Sequence, residues 1–409
     1  MGRKACLKKK LTYPVETEMI TYKRKKAKGV RQAIFSQFTP EIVHHELQGK
    51  DCTCPDCHGQ LKEIGSTIQR QELVFIPAQL KRIDHVQHSY KCQACSQKNL
   101  SDKIIKAPVP KAPLAHSLGS ASIIAHTIHQ KFNLKVPNYR QEEDWNKLGL
   151  PISRKEIANW HIKSSQYYFE PIYNLLHEKL LEQPILHADE TSYKVLENDS
   201  QLTFYWTFLS GKHEKKGITL YHHDKRRSGL VVEKFLGDYA GYVHCDMWSA
   251  YLQLDKAQLV GCWAHVRRKF FDWCRNQAVL PGSKLGNAIE YSLKYETTFR
   301  TVLSDGDIVL SNNIAERAMK TLVMGRKNWL FSQSFEGAKS TAVILSLLET
   351  AKRHGLDAEK YMTYLLEHLP NEETLAKKEV LEAYLPWDKN IKRACNTLRK
   401  SKSDVVDLI

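Results

Sequence analysis

The order of strands and helices between residues 184 and 274 constrains the fold more than any other feature of the sequence. Three runs rich in apolar, aromatic and β-forming residues come first, and each is short enough to be a strand. Helices then alternate with short apolar strands up to a helix that begins at Trp263. Three successive strands followed by α/β units predict a mixed sheet with helices on its faces. The predicted strands are residues 184–190, 203–210, 217–224, 241–246 and 258–262.

The proline-rich segment at 106–113 divides the residues that precede the sheet, because its prolines favour an extended linker. The sequence therefore predicts a multidomain α/β protein rather than a single layer of structure. Its predicted parts are a basic arm (1–50), a cysteine module (51–105), a helical linker domain (114–180), the sheet domain (184–350) and a C-terminal helical region (351–409).

Within the helical linker domain, the segment 139–160 predicts a helix, a glycine-centred turn and a second helix. Ser153 and Glu156 have the spacing of a capping box, which supports a helix start at this point. Such a pair of helices either places its second helix in a DNA groove or packs as an ordinary helix pair. The sequence leaves both interpretations open.

Two C-x-x-C pairs stand in the cysteine module. Four thiolates in two such pairs suit one tetrahedral Zn²⁺ ion, and they leave no coordination position open for a substrate. The sequence therefore predicts a structural zinc, with Cys52 and His58 as lower-ranked alternative ligands. The predicted ligands are Cys54, Cys57, Cys92 and Cys95.

Positive charge is concentrated at the start of the chain. The whole chain has 61 Lys and Arg against 45 Asp and Glu, a net charge of +16. Residues 1–40 hold 11 Lys and Arg and 2 Glu, so they contribute +9 of it. An arm of this composition favours a polyanionic partner, most often nucleic acid, although a tail that only increases solubility has the same composition.

The sequence predicts a protein of the reducing cytoplasm without a membrane segment. No apolar run approaches the ~18 residues of a membrane-spanning helix, and the N-terminus lacks the apolar part of a secretory signal. The 10 cysteines are therefore expected to be thiols or metal ligands rather than disulfides.

Three carboxylates stand out at or near predicted element ends. Asp189 and Asp246 are placed at the carboxyl ends of the first and fourth predicted strands, where open α/β sheets bind ligands. Glu316 is the single acid in a basic helix at 312–331. Each has an ordinary alternative, since strand-end acids cap helices, and Glu316 could cap its helix or pair with Lys320.

Taken together, three converging carboxylates would repel one another unless cations neutralised them, and hard oxygen ligands select Mg²⁺ or Mn²⁺. Two such ions activate a nucleophile and stabilise the leaving oxygen in phosphodiester chemistry. No phosphate-binding G-x-x-x-x-G-K-[ST] motif is present, so nothing indicates that ATP takes part. The residues expected to contact DNA are Arg267, Arg268, Lys269, Arg326 and Lys327 through phosphates, and Trp329 by stacking on a base.

These residues lie in motifs that resemble the DDE transposases of the insertion-sequence-66 family, and the resemblance covers roughly residues 25–390. It implies a ribonuclease-H-like catalytic domain with Asp189, Asp246 and Glu316 as the catalytic, metal-binding acids. The paired cysteines match the zinc-finger region of that family. The matching stretches are LHADET, GCWAHVRRKFFD, LSNNIAERAMKTLVMGRKNWLFS and SLLETAKRHGLDAEKYMTYLL.

The resemblance implies metal-dependent DNA strand cleavage and strand transfer at the ends of an insertion sequence. The expected partners are the element ends, target DNA, further copies of the chain on DNA and accessory proteins of the same element. Two features depart from the family: the arm before the zinc region is short, and a helical insertion after Phe271 is missing. The alternatives are an inactive, internally deleted copy that only binds DNA, and a structure-specific nuclease with the same acids.

Overall fold

The computed structural model describes most of the chain from residue 79 onward. The predicted basic arm (1–50) lies largely outside the described residues, and so do the zinc ligands Cys54, Cys57, Cys92 and Cys95. The described residues are 79–91, 104–200, 202–274 and 283–396, with positions 32, 35, 36, 39–42, 56, 58, 67, 68, 70 and 71.

Before the main sheet, the described chain forms a two-stranded ribbon and four helices. Strands β1 (Ser89–Lys91) and β2 (Ile104–Lys106) pair antiparallel. Ser153 and Glu156 form the predicted capping box at the start of the third helix, which confirms that helix start. The helices are α1 (Ala121–Ile128), α2 (Asn138–Lys147), α3 (Arg154–Ser164) and α4 (Glu170–Leu181), with π-helical turns after α1 and α3.

The main sheet has five strands in the order β5-β4-β3-β6-β7. The neighbours β5, β4 and β3 are antiparallel, whereas β6 and β7 run parallel to β3, so the predicted mixed sheet is confirmed. The first strand is longer than predicted, because it stays paired with β4 as far as Lys194. The strands are β3 (Ile185–Lys194), β4 (Leu202–Ser210), β5 (Thr219–Asp224), β6 (Tyr242–Cys245) and β7 (Gln258–Gly261).

Helices cover the sheet and continue to the end of the described chain. The predicted helices at 228–237 and from Trp263 are present as α5 and α6. The remaining elements are α5 (Gly229–Leu236), α6 (Trp263–Cys274), α7 (Lys284–Lys294), α8 (Glu296–Arg300), α9 (Asn313–Trp329), α10 (Phe335–Arg353), α11 (Ala358–His368), α12 (Lys378–Glu382) and α13 (Lys389–Cys395).

Helix α10 closes the free edge of the sheet at β5. The backbone N–H groups of Thr219 and Tyr221 donate to Thr350 Oγ1 at 3.1 Å and Ser346 Oγ at 2.7 Å. Both hydroxyl-bearing residues are fully buried on α10. An uncovered edge strand would expose unpaired N–H groups to other chains, and these two hydroxyls satisfy them within the protein.

Residues Leu80–Thr397 form one compact unit. A continuous hydrophobic core runs from Leu114, through the helices before the sheet and the sheet itself, to Cys395. The helices on either side of the sheet domain are therefore packed into the same interior as the sheet. Among the described residues, no helix is long and apolar enough to cross a membrane.

Candidate catalytic site

The parallel pairing of β3 with β6 places two of the predicted acids at the same level. His187 is paired with His244, and Asp189 and Asp246 each follow their histidine by two residues. Asp189 lies in the middle of β3, not at its end as predicted, because β3 continues beyond the last residue of β6. Asp246 follows the last residue of β6, as predicted, and its Oδ1 accepts a hydrogen bond from the N–H of Trp248 at 3.0 Å.

Glu316 lies in the first turn of α9 and reaches toward α6. Its Oε1 lies 2.5 Å from Arg268 Nη2 and 3.7 Å from His265 Nε2. Among the described contacts, Glu316 makes neither the capping box nor the ion pair with Lys320 that the sequence allowed. Its partners instead come from a helix 48 residues earlier in the chain, so this carboxylate faces the site and not its own helix.

Electrostatics couples the three predicted acids. Burial and then the charges of Glu190, Asp246 and Glu316 together raise the pKa of Asp189 to about 7, while the hydrogen bond from the Glu190 N–H opposes the rise. Each of these carboxylates disfavours the ionised form of Asp189, which requires them to lie within its field. A cation bound among them would relieve this repulsion.

Glu190 is not among the predicted site residues, although it directly follows Asp189. Its side chain is only 4% exposed and lies 2.6 Å from Arg227 Nη2. The hydroxyl of Tyr251 donates to its second oxygen at 2.8 Å. Burial raises the pKa of Glu190 and the charge of Asp246 adds to this effect, while the two hydrogen bonds oppose it. Successive side chains along a strand point to opposite faces of the sheet, so Glu190 and Asp189 must have different partners. This alternation was the signal in the sequence that could have identified Glu190 as a separate buried acid.

His265 is also absent from the predicted site residues, although it lies on α6 next to Glu316. Burial lowers its pKa, as does the positive charge of Arg268, whereas the charges of Asp246 and Glu316 raise it. The imidazole therefore stands in the same electrostatic field as the acids. Its position three residues before Arg268 on one helix brings both side chains to the same face.

The donor set fits a divalent metal in its chemistry, because carboxylate oxygens are the ligands that Mg²⁺ and Mn²⁺ prefer. Within the described part of the chain, no three His, Cys, Asp or Glu side chains are arranged so that they could hold an ion. In this arrangement Arg268 supplies the positive charge beside Glu316. One of the three predicted acids is therefore held by a basic side chain.

The predicted phosphate-binding residues differ in their surroundings. Arg267, Arg268 and Lys269 are all exposed on α6, and Lys269 Nζ lies 3.9 Å from the centre of the Tyr291 ring. Lys327 is exposed on α9. These side chains form a basic face beside the acids, as expected for a surface that meets phosphates.

Arg326 and Trp329 are partly exposed, and both also contact distant parts of the protein. Arg326 donates to the backbone carbonyl of Ser192 on β3 and so ties α9 to the sheet. The Trp329 ring meets Phe132 edge to face, with 6.1 Å between ring centroids. A Cβ on Gly325 would come within 2.1 Å of the Trp329 ring. The ring thus packs against Phe132 while staying partly exposed, and its stacking on a base stays a prediction.

Comparison with known proteins decides the family of the chain. The sequence matches the description "Transposase IS66 family" over residues 116–278 and 271–340, more than half of the chain. The chain belongs to the IS66 transposase family. It also matches "zinc-finger binding domain of transposase IS66" over residues 51–96 and "IS66 C-terminal element" over residues 346–387.

Three relatives of this IS66 family member come from Sinorhizobium fredii (strain NBRC 101917 / NGR234). The uncharacterized protein y4jD is 25% identical, and the alignment covers 84% of this chain and 79% of the relative. The uncharacterized protein y4qI is 24% identical over 81% of this chain and 73% of the relative. The uncharacterized protein y4hP is 22% identical over 82% of this chain and 73% of the relative.

The family match bears on the cysteine module as well. All four predicted ligands, Cys54, Cys57, Cys92 and Cys95, fall within the residues that match the IS66 zinc-finger domain, which supports a structural zinc. The two matched segments of the main domain meet at residues 271–278. The shortened segment predicted after Phe271 falls at this position.

Proposed function

We propose that this chain is a DDE-type transposase that cleaves and transfers DNA strands at the ends of an insertion sequence. The observation that carries the proposal is that the charges of Asp246 and Glu316 both act on the largely buried Asp189, in a chain of the IS66 transposase family. Two parallel strands bring the first two acids to one level, and the first turn of α9 directs the third toward α6. Burial is the main cause of the raised pKa of Asp189, and the charges of Asp246 and Glu316 add to it.

We assign the sheet domain to the ribonuclease-H-like class. Its support is the strand order β5-β4-β3-β6-β7, with three antiparallel strands followed by two parallel ones. In this arrangement the acid on the central strand and the acid after its parallel neighbour stand side by side.

Asp189, Asp246 and Glu316 would hold two Mg²⁺ or Mn²⁺ ions. Such ions activate a water or a 3′-hydroxyl and stabilise the oxygen that leaves in phosphodiester displacement. The contribution of the chain is to place the three carboxylates where bound cations would favour their ionised form. Arg268 neutralises Glu316 in this structure and would be available to a DNA phosphate if a cation took its place.

DNA contact is assigned to the basic residues of α6, to Lys327, to the N-terminal arm and to the zinc region. Arg267, Arg268 and Lys269 lie on one exposed stretch next to the acids, where a scissile phosphate must approach. The zinc-finger match and the net charge of +16 support the same partner.

A second candidate is a catalytically inactive copy that binds the element ends without cutting them. Its support is that the family match falls into two segments, which overlap at 271–278, where the resemblance implies a missing insertion. Such a protein would keep the basic surface and the zinc region. It would differ from an active enzyme only in its chemistry.

The test is a cleavage and strand-transfer assay on element-end DNA with Mg²⁺ or Mn²⁺. We expect wild type to produce both cleaved and joined products, and Glu316→Gln to produce neither while still binding DNA. Glu336→Gln is the matched control, because Glu336 is an exposed acid in the first turn of α10, as Glu316 is in the first turn of α9.

Each alternative gives a distinct result in this assay. Cleavage without joined product would assign the chain to the nucleases. Binding without cleavage by wild type in either metal would assign it to the inactive copies. Cleavage by folded Glu316→Gln at the wild-type rate would refute the role of Glu316.

A further inference from the structure

The residue before the first residue of α9, Asn312, is 1% exposed and uses every polar group it has. Its Nδ2 donates to the carbonyl of Ala188 at 2.7 Å, so its Oδ1 is the acceptor for His187 Nδ1 at 2.9 Å. Its backbone N–H lies 3.1 Å from Cys262 Sγ. Its carbonyl accepts the N–H of Glu316 at 3.2 Å.

Asparagine in this position ordinarily caps its helix with the side chain, which stabilises the helix by about 1 kcal/mol. Among the contacts described for α9, the side chain of Asn312 makes no such cap bond. Its amide is turned instead toward β3, where it bonds both a backbone carbonyl and a ring nitrogen. The side chain of Asn312 therefore connects the start of α9 to β3, and it does not form the side-chain hydrogen bond that would cap α9.

The contacts of Asn312 join the elements that carry the acids. Ala188 directly precedes Asp189 on β3, and Glu316 is bonded to the carbonyl of Asn312 itself. Cys262 directly precedes α6, the helix that carries the basic partner of Glu316. One buried amide thus sets the separation between the strand acid and the helix acid.

We propose that Asn312 is a positioning residue that fixes Glu316 relative to Asp189, so that both acids can serve the same pair of divalent cations. This inference rests on the proposed function for the role of the two acids. Its physical basis is that a side-chain amide presents a donor and an acceptor close together in one fixed plane. A displacement of about 1 Å in such a site is enough to lower a rate constant by about 100-fold.

The same contacts extend to β6. The rings of His187 and His244 lie 4.9 Å apart with an angle of 30° between their planes, and both are buried. His244 precedes Asp246 by two residues, as His187 precedes Asp189. The amide of Asn312 therefore orients the His187 ring, which packs against His244 on the neighbouring strand.

The experiment compares Asn312→Ala with Asn313→Ala, since Asn313 is the adjacent residue of the same type and is exposed. We expect Asn312→Ala alone to speed hydrogen exchange of the Glu316 amide, which is bonded to residue 312. We also expect a loss of about 10–100-fold in Mn²⁺ affinity, measured by electron paramagnetic resonance, and in cleavage rate at saturating DNA. DNA affinity should stay unchanged.

A further measurement on wild type guards against a variant that does not fold. If Asn312 Oδ1 is the acceptor, ¹⁵N NMR must show the His187 proton on Nδ1. A proton on Nε2 alone would overturn the proposed orientation of the amide.

The outcomes separate this inference from the proposed function. A wild type that neither binds Mn²⁺ nor cuts DNA would refute the proposed function, and the exchange comparison would still decide whether Asn312 holds α9. If wild type is active, a folded Asn312→Ala with wild-type Mn²⁺ affinity and cleavage rate would overturn the positioning role. Equal effects of Asn312→Ala and Asn313→Ala would overturn it too.

Discussion

Replacing Asp189 with asparagine should make the metal-free protein more stable at pH 8. Burial and three neighbouring carboxylates raise the pKa of Asp189 from 3.8 to about 7. An acid whose pKa is raised on folding stabilises the native state below its unfolded pKa, and this contribution disappears as the pH rises through the folded pKa. At pH 8 the ionised carboxylate therefore destabilises the fold, and a neutral amide removes that effect.

The magnitude follows from the difference between the two pKa values. Each pKa unit corresponds to about 1.4 kcal/mol. The raised pKa of Asp189 therefore lowers the free energy of unfolding by about 4 kcal/mol at pH 8 and by about 1.6 kcal/mol at pH 5. Asparagine keeps the oxygen that accepts from the Glu190 N–H at 3.0 Å. Its new amide nitrogen loses water on burial, which offsets the gain by about 1–3 kcal/mol at both pH values.

The assay is urea unfolding of wild type and Asp189→Asn, in chelator, at pH 5 and pH 8. The stability of the variant relative to wild type should rise by about 2–3 kcal/mol between the two pH values, whatever the cost of the buried amide. Asp255→Asn serves as the control, because Asp255 is exposed. A relative stability of Asp189→Asn that is the same at pH 5 and pH 8 would refute the reasoning.

Three further predictions concern other parts of the chain. The His126–Glu359 pair joins α1 to α11 at 2.7 Å, with the pKa of His126 raised by Glu359 and that of Glu359 lowered by His126. Its contribution should be greatest between about pH 4.5 and 6.5, so the melting temperature of Glu359→Gln should fall furthest below wild type there and match it at pH 9. Cys57→Ser should release one zinc and unfold the cysteine module locally, which metal analysis and limited proteolysis would detect; wild type free of zinc after reducing purification would contradict this. Deleting residues 1–31 should flatten the dependence of DNA affinity on salt by about 0.9 in log–log slope for each phosphate that the arm neutralises, and an unchanged slope would assign the arm to solubility.

Much of the fold could be predicted from the sequence, because the signals for its elements are local. The alternation of apolar residues marks a strand or helix within a few residues, and the Ser153–Glu156 box marks a helix start. The order of these elements was enough to predict a mixed sheet. The length of β3 was not predicted, because its second half is polar and is held in the sheet by pairing with β4.

The sequence by itself determined which acids are candidate catalytic residues and which family the chain resembles. Motifs around Asp189, Asp246 and Glu316 are continuous stretches of chain, so they can be recognised without any tertiary information. Only the tertiary structure decided the partners of these acids. Along one helix Glu316 has Lys320 within reach, yet folding brings Arg268 to it from 48 residues away.

Contacts between distant elements also give different roles to two adjacent residues of the same type. Asn312 and Asn313 are adjacent and chemically equal, but the first turn of α9 buries one against β3 and leaves the other exposed. The sequence likewise gives no sign that the Trp329 ring has a partner, whereas in the structure Phe132, far away in the chain, packs against it. Local periodicity determines which elements form, while side-chain roles depend on contacts between distant elements, and those exist only once the core has been packed.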